Sequence, residues 1–266
     1  MLSVAPRYQA LITTRTRRKT MITLYGWGPM FDCPSPSPFV MKADIQLQML
    51  GVDFTRAIAD LDAVPKHKAP YVIDDGQLIE DSNFIRIHFE TKLGKGLYDG
   101  FSGKDIALSW ALERMAEGQL SKIMAYERWM KDDNFNKGPA QFFIDVPAPA
   151  RPVVLKEVRE GVAASHMGEG TGRFTEAERM QLADWDIGAI ALQLGEQDYL
   201  LGEAPTCADA AVAAVLIACA TEFFDTPLSG LVHKHPNLVA YTDRMKARYF
   251  AHAAWPAWPA AMTEPA

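Results

Sequence analysis

Five stretches of the chain hold residues whose types and spacing could do chemistry. In Cys33-Pro-Ser-Pro-Ser37-Pro38, one thiol and two hydroxyls (Ser35, Ser37) stand just ahead of a helical pattern. A hydroxyl there sits at the positive end of the helix dipole and can steady an anion. A thiolate at the same place would form mixed disulfides, a different chemistry. Tyr25 offers a phenol on the preceding strand pattern. Lys66, His67 and Lys68, just before Pro70, could receive a carboxylate. Asp81-Ser82 opens another helical pattern. Its hydroxyl and backbone N–H suit an anion, and its carboxylate suits an ammonium group. Both residues are also favoured helix caps. Finally, Trp110, Met115, Tyr126 and Trp129 recur along one helical segment and could wall either an apolar pocket or a core.

The elements that must position these groups divide into two textures. Ile22 to Trp27 reads as a strand. Phe39, Ala43, Leu47 and Leu50 recur at helical spacing, with Pro38 suited to the start and Gly51 to the end. Val52 to Ile58 reads as a second strand. Tyr71-Val-Ile73 and Gln77-Leu-Ile79 flank Asp74-Asp-Gly76, a hairpin signal. A helix over about 82–91 follows. The order β-α-β then β-β-α calls for a parallel pair, an antiparallel hairpin and a covering helix, a thioredoxin-like layout.

Strands vanish from Lys104 onward. Ile106 to Met130 reads as one long helix. Gly138, Pro139, Pro147, Pro149 and Pro152 break the pattern over 134–152. Helices return at Glu176–Leu194, after Thr206, and at Pro236–Tyr249. Thr206-Cys-Ala-Asp209 has capping-box spacing, so Asp209 reads as structural. The apolar run that follows reads as a helix buried on all sides.

Composition narrows the function. The 266 residues carry a net charge of −6. Residues 1–20 hold five basic side chains and no acidic one. Without them, 22 basic residues face 33 acidic ones. So acidic a body repels nucleic acid. No apolar run reaches the ~20 residues of a membrane span. Cys33, Cys207 and Cys219 are too scattered for a disulfide framework or a zinc site, which suits a reducing cytoplasm. Residues 1–20 read as a disordered basic extension, or as the product of a start at Met1 where Met21 is the true one.

Three segments together resemble the glutathione S-transferase superfamily. They are Lys68 to Ile85, with its proline, hairpin and acidic-Ser pair; Leu201 to Ala210, with its capping box; and His235 to Arg248. They stand in the family's order and, together, span most of the chain from Met21 to about Phe250. Ser37-Pro-Phe-Val40 and the proline-containing insert around 135–170 look most like the bacterial branch related to metaxin and failed axon connections. The resemblance implies an α/β thioredoxin-like N-terminal domain over 21–98 and an all-α C-terminal domain over 104–255. It implies glutathione as co-substrate, with no further cofactor and no metal, a small electrophile as second substrate, and a homodimer. It further implies Lys68, Ala69, Pro70 (cis), Asp81 and Ser82 as the glutathione site. The thiol-activating group would be Ser37, with Ser35, Cys33 and Tyr25 as alternatives. Trp110, Tyr126 and Trp129 would wall the second-substrate pocket. Two rival readings stay open: a non-catalytic binding module on the same fold, and a Cys33-dependent thiol transferase.

Overall fold

The structure is a computed structural model that describes residues 21–257. The expectation for residues 1–20 lies outside the described residues.

Strands β1 (Ile22–Gly26), β2 (Phe54–Ile58), β3 (Tyr71–Asp74) and β4 (Gln77–Glu80) form a mixed sheet in the order β2-β1-β3-β4. β1 pairs parallel with β2 and antiparallel with β3, and β4 closes the hairpin. The hairpin turn needs two positive φ values, and Asp75 (54°) and Gly76 (80°) supply them. Helices α1 (Pro38–Met49) and α2 (Ser82–Leu93) pack on the sheet. Leu24, Ala43, Leu47, Val72, Ile85 and Phe89 fill the space between. Gly26 ends β1 where a Cβ would lie 2.5 Å from a Val40 methyl, so only glycine lets α1 approach this closely.

The rest is helical: α3 (Gly103–Met115), α4 (Ser121–Met130), α5 (Asp132–Lys137), α6 (Arg151–Glu169), α7 (Glu176–Leu194), α8 (Cys207–Ala220), α9 (Pro227–His233) and α10 (Pro236–Phe250). α8 is buried from Cys207 to Cys219, and α1 packs directly against it. Met41 and Ile45 of α1 therefore share one core with Leu216, Ile187 and Tyr241. Asp209 accepts from the Thr206 amide (2.7 Å), the Leu200 amide (2.9 Å) and the Tyr241 hydroxyl (2.9 Å), the structural role its spacing implies.

Two differences from the sequence pattern matter for the site. The helix expected from Ile106 to Met130 is interrupted by a π turn over Ala116–Leu120. The prolines after residue 134 do break the chain, but Pro152 lies in the first turn of α6, where a missing N–H costs nothing. A 19-residue helix starts where the prolines had suggested only irregular chain.

Candidate active site

A cavity of about 670 Å³ opens between the two domains. One wall is the start of α1. Ser37 is the N-cap, and its Oγ accepts from the Val40 amide at 3.4 Å. Its hydroxyl proton stays available to a neighbour, at the positive end of the α1 dipole. Ser37 and Pro38 both line the cavity.

The three alternatives sit elsewhere. Ser35 is buried, and its Oγ accepts from the Ser37 amide (3.3 Å), so it shapes the turn that presents Ser37. Cys33 is 3% exposed and directs its thiol to the Ile217 carbonyl oxygen in the helical core. Burial raises its thiol pKa, although Arg128 opposes that shift. Tyr25 stacks on Tyr71, with ring centroids 4.6 Å apart, and does not line the cavity.

The Ala69–Pro70 bond is cis, and neither residue lines the cavity, although the neighbouring Lys68 does. Among the described residues, no hydrogen bond engages the N–H or C=O of Ala69. Pro70 accepts instead from the Asp81 amide (3.2 Å), which ties this corner to the start of α2. Asp81 caps that helix at φ 81° through the Asn83 amide (2.8 Å). Ser82 is buried to 2% exposure, and its hydroxyl has no partner among the described residues. Lys68 lines the cavity. Lys66 and His67 do not line it: Lys66 Nζ donates to the Glu80 carbonyl (3.4 Å), and His67 Nδ1 meets the Leu61 carbonyl (2.9 Å).

The opposite wall comes from the π turn, α4 and α6. Trp129 lies in it, as its spacing suggested. Trp110 does not: it is 47% exposed, with the Arg114 guanidinium 4.3 Å from its ring, because Ser109, Leu112 and Glu113 take the inner face of α3. Tyr126 stands one layer back. It packs edge-on against His166 and under Arg179 at 3.7 Å. Met115 packs against the large core rather than into the cavity.

Several polar residues of this wall carry no motif in the sequence. Arg128 is buried and donates to the carbonyls of Pro36 (3.0 Å) and Ala218 (2.6 Å). On α6, His166 Nδ1 hydrogen-bonds Glu169 (2.9 Å), which also receives Lys122 of α4. Burial pushes the Glu169 carboxyl up, but the hydrogen bonds from Lys122 and His166 outweigh it and hold the group below the ordinary glutamate value. Glu117 of the π turn lines the cavity too and binds Lys42 of α1 at 2.5 Å. Lys42 is 1% exposed and also holds Glu113 (3.1 Å) and Asn83 (2.8 Å). This buried cluster joins the two domains behind the site.

The arrangement thus offers a helix-start hydroxyl, a free backbone edge, a cation at Lys68, and a facing wall that is apolar with a few fixed charges. No helix of the described residues is long and apolar enough to cross a membrane.

Comparison with known proteins agrees with this geometry. Residues 38–134 match the glutathione S-transferase N-terminal domain, and residues 183–245 the glutathione S-transferase C-terminal domain. An isoprene-epoxide–glutathione S-transferase of Rhodococcus is 30% identical over 86% of this chain and 99% of its own length. Failed axon connections of Drosophila melanogaster is 25% identical over 93% of this chain, which spans 63% of that longer protein. Among solved structures, a glutathione S-transferase from Methylobacterium radiotolerans in complex with glutathione sulfonate superimposes with a TM-score of 0.59 at 20% identity, covering 90% of this chain and 97% of that one. At that identity the superposition speaks for the fold, while the sequence matches place the chain in a family. The chain belongs to the glutathione S-transferase superfamily.

Proposed function

We propose that the protein is a glutathione transferase: it binds glutathione along the Ala69–Pro70 edge and the start of α2, and activates the thiol at Ser37. The carrying observation is that Ser37 and Lys68 open into the same cavity as the α4–α6 wall. An extended peptide would pair with Ala69 as an added strand. Its γ-glutamyl carboxylate would meet Ser82 at the α2 N-terminus, and its ammonium would meet Asp81. Lys68 offers a cation to the glycine carboxylate. The sulfur then lies at the α1 start, where the Ser37 hydroxyl and the dipole favour thiolate over thiol. The electrophile would occupy the space against Trp129 and α6, so that binding orients the attack. The 30% identical relative makes small epoxides the first electrophiles to assay.

Calorimetric titration with glutathione tests the reading. Wild type should bind, and Ser82→Ala should bind more weakly with its fold intact. Equal affinity of the two would remove Ser82 from the site. Binding without turnover across a broad electrophile screen would favour a non-catalytic module instead. Burial of Cys33, which raises its thiol pKa, supports conjugation at Ser37 over a Cys33-dependent thiol transferase. A homodimer is part of the proposal; Phe84 and Ile87 of α2 and Trp110 of α3 present exposed apolar surface for it. Buried free cysteines fit a reducing cytoplasm.

A further inference from the structure

The α6 wall contains a group that thiol activation leaves unused. His166 lines the cavity, yet the residue is only 6% exposed. Its Nδ1 meets a Glu169 carboxylate oxygen at 2.9 Å. A carboxylate only accepts, so Nδ1 carries the proton of that bond. Nε2 has no partner among the described residues. When the ring is protonated, Nε2–H is thus a donor whose direction is fixed from behind. Tyr126 holds the ring edge-on, with centroids 5.4 Å apart. Lys122 anchors the other oxygen of Glu169 from α4. Such a carboxylate–imidazole pair fixes the orientation of the ring and the nitrogen that carries the proton. Ser37 lines the same cavity.

We propose that His166 is the proton donor to the oxygen released when the glutathione thiolate opens an epoxide, with Glu169 and Lys122 as positioning residues. The proposal rests on the transferase reading above and adds an electrophile class to it: substrates whose departing atom is an oxygen that must gain a proton. The thiol proton passes to solvent when glutathione is activated. A sulfur lone pair forms the new C–S bond, and the electron pair of the broken C–O bond stays on oxygen. That oxygen takes the Nε2 proton. The neutral imidazole keeps Nδ1–H on Glu169 and regains a proton from solvent. Glutathione and epoxide become a hydroxy-thioether, and no other reactant is consumed. A chloride leaving group requires no proton, so it would not use His166.

The difference defines the test. Wild type, His166→Gln and Glu169→Gln are assayed with glutathione against isoprene monoxide and against a chlorodinitrobenzene. His166→Gln should lose about 100-fold or more in kcat on the epoxide, and at least about tenfold more than it loses in kcat on the chloroarene. Glu169→Gln should lose epoxide activity by a smaller factor in the same selective way. An equal loss on both substrates would assign His166 a structural role and overturn the proposal, as would an unchanged epoxide rate. Wild-type turnover of the chloroarene alone would also overturn it while leaving the transferase reading standing. No turnover of either substrate would defeat the transferase reading, and this one with it.

Discussion

Arg128 Nη1 donates to the carbonyl oxygen of Pro36 at 3.0 Å, across the boundary between the helical domain and the sheet domain. Pro36 immediately precedes Ser37. The other arm of the guanidinium holds the Ala218 carbonyl near the end of α8 (2.6 Å), and the Phe224 ring lies 4.7 Å from the guanidinium carbon. One planar fork therefore fixes the loop that presents Ser37 to the helix at the centre of the core.

Arg128→Ala would leave two carbonyls without their donor in a dry environment. The expected cost is about 2–4 kcal/mol of stability, read by urea unfolding. Arg128→Lys keeps the charge but cannot span both carbonyls, so it should recover only part of the loss. Full stability in both variants would show that the Pro36 loop does not depend on this contact.

The Lys42 cluster gives a second expectation. Its ammonium is surrounded by Glu113, Glu117 and Asn83. Lys42→Met should destabilise the fold by about 3–5 kcal/mol, because two carboxylates lose their shared cation inside the protein. Adding Glu113→Gln should return part of that loss, whereas independent sites would simply add. A double-mutant cycle with no coupling would argue against the pairing.

Much of this architecture is legible in the chain. Pro38, Gly51, the Asp75-Gly76 turn and the Thr206–Asp209 spacing each mark an element end through local backbone chemistry, and the elements formed there. Long-range features left weaker traces. Trp110 and Trp129 belong to the same apparent helix, yet one faces outward and the other the cavity. The π turn between them shifts the helical phase, and no residue type marks it in advance. Pro152 misled for a definite reason: a proline reads as a breaker unless the helix start is already placed. With α6 unplaced, His166 and Glu169 had no face to belong to, although their i, i+3 spacing was visible. Lys42 and Arg128 look like surface charges, because burial depends on partners more than 70 residues away.

Acid should weaken the sheet domain through Asp74. Its carboxylate is 3% exposed and is held by His88 (2.7 Å) and Lys92 (2.6 Å). Burial pushes its pKa up, but the hydrogen bonds and charges of His88 and Lys92 outweigh it, so the folded value falls below the ordinary 3.8. A depressed folded pKa contributes stability that is complete above the unfolded value and is lost as pH falls through the folded one. Melting temperature should therefore drop below about pH 4, and Asp74→Asn should flatten that part of the curve. An unchanged slope in the variant would exclude Asp74 as its source.

Cys33→Ser separates thiol transfer from conjugation. Burial raises the Cys33 thiol pKa and pushes Cys207 and Cys219 up to about 12. In the folded protein at neutral pH, all three should react slowly with a thiol reagent and rapidly once denatured. Conjugation by Cys33→Ser should stay near wild type. A mixed disulfide with glutathione at Cys33, together with lost activity in the variant, would transfer the chemistry to that thiol.

Ser37→Ala isolates the activating hydroxyl. The variant loses a helix cap, at a cost of about 1 kcal/mol, and should remain folded. If Ser37 donates to the bound sulfur, the missing bond belongs to the thiolate, so glutathione should still bind while its bound thiol pKa rises. Turnover at neutral pH should then fall by about tenfold for each unit of that rise. The deficit should narrow as pH increases, because the thiol ionises without help. A thiolate absorbance titration of the two complexes measures the shift directly. Superimposable titrations in wild type and variant would show that the helix dipole acts alone and that Ser37 serves only to cap α1.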